Sequence, residues 1–101
     1  MQLVKFLNQI IKEDGFILID ANQKKYIIGT PKKKEPIILE LLDKKLHYKL
    51  LYHPDLYFGE AYTDGEIIIE NGTLTDFLNL ALMNFGRGDL NFFSYLINRL
   101  R

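Results

Sequence analysis

Phe16-Ile17-Leu18-Ile19-Asp20-Ala21-Asn22-Gln23-Lys24-Lys25-Tyr26-Ile27-Ile28-Gly29 is the stretch on which the architecture of this chain turns. Four apolar residues run up to Asp20, the polar link Ala21-Asn22-Gln23-Lys24 follows, and a second run extends from Lys25 to Gly29. Two short β-prone runs joined by so few polar residues predict a hairpin. Upstream, Leu3, Phe6, Leu7, Ile10 and Ile11 recur at the spacing that lines one stripe of a helix, with Lys5, Lys12 and Glu13 off the stripe and facing water. Asp14-Gly15 is expected to stop that helix, with glycine taking the left-handed conformation of a helix end.

Downstream of the hairpin, two prolines and three adjacent lysines make Thr30-Pro31-Lys32-Lys33-Lys34-Glu35-Pro36 a loop. Ile37 to Leu41 is a third strand. Asp43 can cap a helix carrying Leu46, Leu50 and Leu51, and Pro54 ends that pattern. A second helical piece runs from Asp55 to Tyr62 and closes at Asp64-Gly65. Glu66-Ile67-Ile68-Ile69-Glu70 then reads as a central strand buried on both faces. Asn71-Gly72 is a turn, and Thr73 with Asp76 forms a capping box in front of a helix built on Leu74, Phe77, Leu78, Ala81 and Leu82. Gly86-Arg87-Gly88 breaks it, and Asp89 can cap a last helix with Phe92, Phe93, Leu96, Ile97 and Leu100. The expectation is a single α+β domain over residues 1–101, with a small mixed or antiparallel sheet of about four strands packed with helices.

Composition narrows the function. The chain has 101 residues, 48% hydrophobic and 26% charged, enough for one core without staples. With no cysteine there is no disulfide, thiol nucleophile or thiolate metal site. Apolar runs such as Phe16-Ile17-Leu18-Ile19 fall far short of the roughly 20 residues that span a bilayer, so a soluble cytoplasmic chain is expected. The 13 basic and 13 acidic residues cancel, which argues against nucleic acid as a partner, since phosphate affinity comes from clustered cations. Locally the charge is uneven: Lys24 to Lys49 holds eight lysines against Glu35, Glu40 and Asp43, and Leu50 to Gly86 holds six acids and no base. Such a bipolar domain suits an anionic surface on one side and a basic partner on the other, or else its two halves pair with each other.

No catalytic set emerges. His47 and His53 are the two histidines, and their spacing matches no metal-ligand pattern, with Asp55 the nearest carboxylate to complete one. Ser94 is the sole serine and lies in an apolar segment. Glu60, Asp64, Glu66 and Glu70 surround Tyr62, and paired carboxylates share acid and base roles only where burial separates their pKa values. A turn, a strand boundary and solvated carboxylates explain the same four residues. Asn71-Gly72-Thr73 fits a glycosylation sequon, but a turn is the better reading. The aromatic residues Tyr48, Tyr52, Tyr57, Phe58 and Tyr62 serve either as core or as an exposed apolar face.

The segment Tyr52-His53-Pro54-Asp55-Leu56-Tyr57-Phe58-Gly59-Glu60-Ala61-Tyr62-Thr63-Asp64-Gly65-Glu66-Ile67 adds another line. Together with Gly15-Phe16-Ile17-Leu18-Ile19-Asp20 and Ile69-Glu70-Asn71-Gly72-Thr73-Leu74-Thr75-Asp76-Phe77-Leu78, it resembles the amino-terminal domain of cyclopropane-fatty-acyl-phospholipid synthases and related S-adenosylmethionine-dependent methyltransferases. The most specific part is Gly59-Glu60-Ala61-Tyr62 followed by Asp64-Gly65, and Thr63 stands where relatives often carry a larger apolar residue. The resemblance implies a small leading domain ahead of a methyltransferase domain that holds the cofactor and the catalytic groups. The linker to that second domain would begin near Asn98-Arg99-Leu100-Arg101. The chain is then either the leading part of a longer protein or a free-standing relative of it.

No catalytic, metal or cofactor residue is transferred: S-adenosylmethionine belongs to the absent catalytic domain. The expected partners are that domain, in cis or in trans, and a phospholipid membrane surface met peripherally at its inner face; a homo-oligomer is a further option. Tyr57, Phe58, Gly59, Glu60, Tyr62, Asp64 and Gly65 are the candidates for the domain contact, and Lys32, Lys33 and Lys34 for anionic head groups. The alternatives to this accessory role are a stand-alone lipid carrier and an oligomerisation module.

Overall fold

A computed structural model describes residues 1–85. In chain order the elements are α1 (Gln2–Ile10), β1 (Gly15–Ile19), β2 (Lys25–Gly29), β3 (Ile38–Leu41), α2 (Leu46–Tyr52), α3 (Pro54–Thr63), β4 (Ile67–Glu70) and α4 (Leu74–Phe85). This is the expected α+β arrangement with one mixed sheet. The last helix expected from the sequence, with Phe92 to Leu100, and Ser94 within it, lie outside the described residues.

The sheet order is β2-β1-β3-β4. The hairpin forms as expected, β1 pairing antiparallel with β2 in a register that sets Phe16 against Ile28 and Leu18 against Tyr26. β3 runs parallel to β1, with Leu18 opposite Leu39, and β4 runs antiparallel to β3, with Leu39 opposite Ile69 and Leu41 opposite Ile67. Because side chains alternate along a strand, this register gives one face to Phe16, Leu18, Tyr26, Ile28, Leu39, Leu41, Ile67 and Ile69. Those residues form one core with Leu3 of α1, Leu46 and Leu50 of α2, Phe58 and Ala61 of α3, and Phe77, Leu78 and Ala81 of α4.

Two of the sequence expectations change. Among the described residues the Ile67-Ile68-Ile69 strand lies at an edge of the sheet, not at its centre: β4 bonds there only to β3, and Ile68 is 40% exposed while Ile67 is buried. A run of three isoleucines satisfies an edge strand when the outer face is itself apolar. The first helix ends at Ile10, four residues before Asp14, and it is Asp14, at φ 60°, that takes the left-handed conformation. Gly15 opens β1 and is glycine for another reason: a Cβ there would run into the Ile28 carbonyl oxygen of the paired strand.

Polar side chains close the corners. Asp20 is buried at the hairpin tip, where its Oδ1 accepts the backbone N–H groups of Asn22 (2.8 Å) and Lys24 (2.9 Å). Asn84, near the end of α4, fastens the α1–β1 link: its Oδ1 accepts from the N–H groups of Lys12 (2.7 Å) and Glu13 (2.8 Å), and its Nδ2 donates to the Glu13 carbonyl (3.0 Å). The capping box is made as expected, Asp76 Oδ2 accepting from the Thr73 N–H at 2.9 Å and Thr73 Oγ1 from the Asp76 N–H at 3.1 Å. The Thr73 backbone and hydroxyl hold the Asp76 carboxyl below the usual aspartate range, so its contribution to stability is present at pH above that range and is lost as pH falls through the lowered value.

Replacing Asp20 by Ala strands two N–H groups in a tight turn. The expected cost is about 1–3 kcal/mol in urea unfolding, with Asp20→Asn retaining most of the stability.

Candidate interaction surfaces

The opposite face of the sheet carries Ile17 and Ile19 of β1, Ile27 of β2, Ile38 of β3 and Ile68 of β4. Register places Ile27, Ile17 and Ile38 side by side in one row, and Ile19 and Ile68 flank Glu40 in the next. Ile27 is 67% exposed and Ile17, Ile19 and Ile38 are half-buried. Among the described residues none of the five belongs to the core that the helices cover. Lys25 stands at the β2 edge of this face and Glu70 at the β4 edge, and such charges guard exposed strands against indiscriminate pairing. A contiguous apolar face rimmed by charge marks a protein contact. These isoleucines were not singled out from the sequence because a strand with both faces apolar reads as doubly buried; the hairpin's own β2, with Ile27 beside Ile28, carried the same signal.

The segment expected to meet a second domain divides in two. Phe58 and Gly59 are buried, and the Phe58 ring stacks on Phe77 (centroids 5.3 Å) and on Tyr62 (6.4 Å), so they serve this domain's own core. Tyr57 and Tyr62 are half-buried, and Glu60, Asp64 and Gly65 are exposed. Glu60 and Asp64 sit one turn apart at the end of α3, where the Asp64 N–H donates to the Glu60 carbonyl at 2.9 Å. What this segment offers a partner is therefore acidic and polar. Glu70 lies at the far edge strand, Glu66 is half-buried, and Asn71, at φ 59°, makes the expected turn.

The lysine-rich stretch splits as well. Since β1 and β3 are parallel, the loop holding Lys32, Lys33 and Lys34 lies at the Gly15 end of the sheet, whereas α2 follows the opposite end of β3. Lys32, Lys33 and Lys34 are all exposed; the Lys32 N–H donates to Asp14 Oδ1 at 3.0 Å, and the Lys33 charge helps to lower the Asp76 carboxyl. At the other end, α2 and the turn before it present Lys44, Lys45 and Lys49 together with Tyr48 (75% exposed) and Tyr52 (81% exposed). Among the described residues no lysine pairs with an acid, so the two signs do not cancel by contact.

The histidines serve structure. His47 Nε2 accepts from the Ala21 N–H at 3.1 Å, tying α2 to the hairpin tip, and His53 Nδ1 lies 3.0 Å from Asp55 Oδ1. Among the described residues no three His, Asp or Glu side chains converge on a point that could hold a metal. A cavity of about 190 Å³ opens between the lysine loop and α4, lined by Asp14, Lys33, Asp76, Asn79, Leu80 and Met83 among others. No described helix is long and apolar enough to cross a membrane. No family model matches the chain, and no curated protein matches it.

If the isoleucine face is an uncovered surface, Ile27→Thr will shift stability by no more than about 0.5 kcal/mol. Its neighbour Ile28, fully buried on the other face, will cost about 2–5 kcal/mol when replaced by Ala. Chemical unfolding of the two variants makes the comparison.

Proposed function

We propose that this chain is a non-catalytic accessory domain of a lipid methyltransferase resembling the cyclopropane-fatty-acyl-phospholipid synthases, docking to the catalytic domain and to a phospholipid membrane surface. The observation that carries the reading is the five-isoleucine sheet face, which the described helices leave uncovered. An apolar face of this kind gains by burial against a larger domain, at about 25 cal/mol for each Å² removed from water. The acids of α3 and the lysines of α2 lie on separate elements, which lets one domain meet a basic protein rim and an anionic membrane at once. The Gly59-Glu60-Ala61-Tyr62 and Asp64-Gly65 pattern supports the family side of the reading.

In this role the chain supplies position and no chemistry. S-adenosylmethionine and the groups that act on the acyl chain belong to the partner, and this domain holds that partner at the inner face of the membrane. As a lipid carrier the chain would need more room than the 190 Å³ cavity lined by the described residues, which is smaller than the roughly 300 Å³ at which ligand pockets begin.

The test supplies the isolated chain in trans to the catalytic domain of a cyclopropane synthase stripped of its own leading domain. Complex formation on gel filtration and a rise in product from phospholipid vesicles are expected, both lost in Ile17→Lys and Ile27→Lys variants that remain folded. Turnover by the chain alone, or a catalytic domain indifferent to it, overturns the reading; elution of the chain as a dimer through the same isoleucines assigns the face to self-association instead.

A further inference from the structure

Of the tyrosines that the sequence leaves open as core or exposed face, Tyr48 and Tyr52 are 75% and 81% exposed. They stand one turn apart on α2, and Lys44 precedes Tyr48 by the same interval. Lys45, the N-cap, and Lys49 are likewise four residues apart, so the five exposed residues lie along the outer side of α2 and of the turn before it, while Leu46 and Leu50 are buried. From Lys44 to His53 there is no acidic residue. The carboxylates next to this stretch are engaged: Asp43 Oδ1 accepts from the Lys45 N–H at 2.9 Å, and Asp55 meets His53. Lys49 Nζ lies 5.4 Å from the Tyr57 ring centroid, which steadies the ammonium group at the surface. Leu42 before α2 and Leu56 after it are exposed too, at 48% and 41%.

From this arrangement we infer that the outer side of α2 and of the turn that leads into it, with Lys44, Lys45, Tyr48, Lys49 and Tyr52, is the surface that meets an anionic phospholipid bilayer. The inference rests on the membrane-docking part of the proposed function and moves that contact away from the Lys32-Lys33-Lys34 loop. Three features favour α2 over the loop. Tyrosine settles at a membrane interface because its ring is apolar and its hydroxyl remains hydrated. Lysine stems lie along the acyl boundary while their ammonium groups stay at head-group level. The loop has the charge without an aromatic partner, and its Lys33 lines a cavity together with the acids Asp14 and Asp76. Charge complementarity selects anionic over neutral lipid. A convex helix side, rather than a groove that tracks a strand, selects a bilayer over single-stranded nucleic acid.

The experiment is sedimentation of the whole chain with vesicles of phosphatidylglycerol and phosphatidylcholine, and with phosphatidylcholine alone, at low and high salt. Wild type is expected to sediment with the anionic vesicles only. The Lys44→Gln, Lys45→Gln, Lys49→Gln triple variant will partition about a hundredfold more weakly, since each lysine near the surface contributes roughly a fivefold factor. Tyr48→Ser with Tyr52→Ser will weaken the residual high-salt binding as well, and Lys32→Gln, Lys33→Gln, Lys34→Gln will leave partition unchanged. All the substituted side chains are exposed, so unchanged circular dichroism and urea midpoints certify the fold. Loss of binding in the loop variant but not in the α2 variants overturns the inference and leaves membrane docking in place. Failure of wild type to bind anionic vesicles overturns both. Preferential binding of a single-stranded oligonucleotide, lost in the same α2 variants, overturns the choice of lipid.

Discussion

Phe77 of α4 stands edge-on to Phe16 of β1, ring centroids 5.1 Å apart, and lies stacked on Phe58 of α3, which stacks in turn on Tyr62. This file of four rings joins the middle of the sheet to two helices distant in sequence. Each aromatic pair contributes about 0.5–1.5 kcal/mol beyond the area it buries. The rest of the fold is placed by it: β1 is held between β2 and β3 with Phe16 and Leu18 pointing toward the helices, α3 comes down over β4, and α4 returns close enough to the first turn for Asn84 to bond Lys12 and Glu13. Removing the ring at position 16 or 77 would empty the point where three elements meet.

Drawing the helices to one side has a consequence for function. A sheet this small has two faces, and every described helix contributes to the core on one of them; on the other, Ile27 and Ile68 are exposed and Ile17, Ile19 and Ile38 half-buried. Natural sheets of this kind usually turn polar residues to water. Here Ile17, Ile19, Ile27, Ile38 and Ile68 hold those positions, interrupted by Lys25, Glu40 and Glu70. The exposed tyrosines Tyr48 and Tyr52, with Lys49, lie on a different element, α2, and Lys44 and Lys45 lie in the turn before it.

Much of the architecture was legible in the residues. The hairpin, the Lys25–Gly29 strand, the helical stripe of Leu3 to Ile11 and the Thr73–Asp76 box each follow from a local pattern with a local cause, and the structure contains them. The position of Ile67–Ile69 was not legible, because hydrophobic periodicity reports that a side chain is apolar and not whether anything covers it. The end of the first helix was misplaced for a related reason: Asp14-Gly15 carries a turn signal, but Gly15 is fixed by the closeness of Ile28 across the hairpin, a contact between strands and not a property of the helix. Among the site candidates, Gly59-Glu60-Ala61-Tyr62 proved part core and part acidic surface, and the lysines of residues 24–49 fell at two ends of the sheet once the parallel β1–β3 pairing was known.

The central claim, that the described helices bury one face of the sheet and leave the isoleucines of the other open to solvent, is tested most directly by nuclear magnetic resonance of isoleucine and leucine methyl groups with a soluble paramagnetic relaxation agent. The account predicts strong broadening of the Ile27 and Ile68 methyls and clear broadening at Ile17, Ile19 and Ile38, beside unaffected signals from Leu18, Ile28, Leu39 and Leu41. Equal protection of the two sets would contradict it.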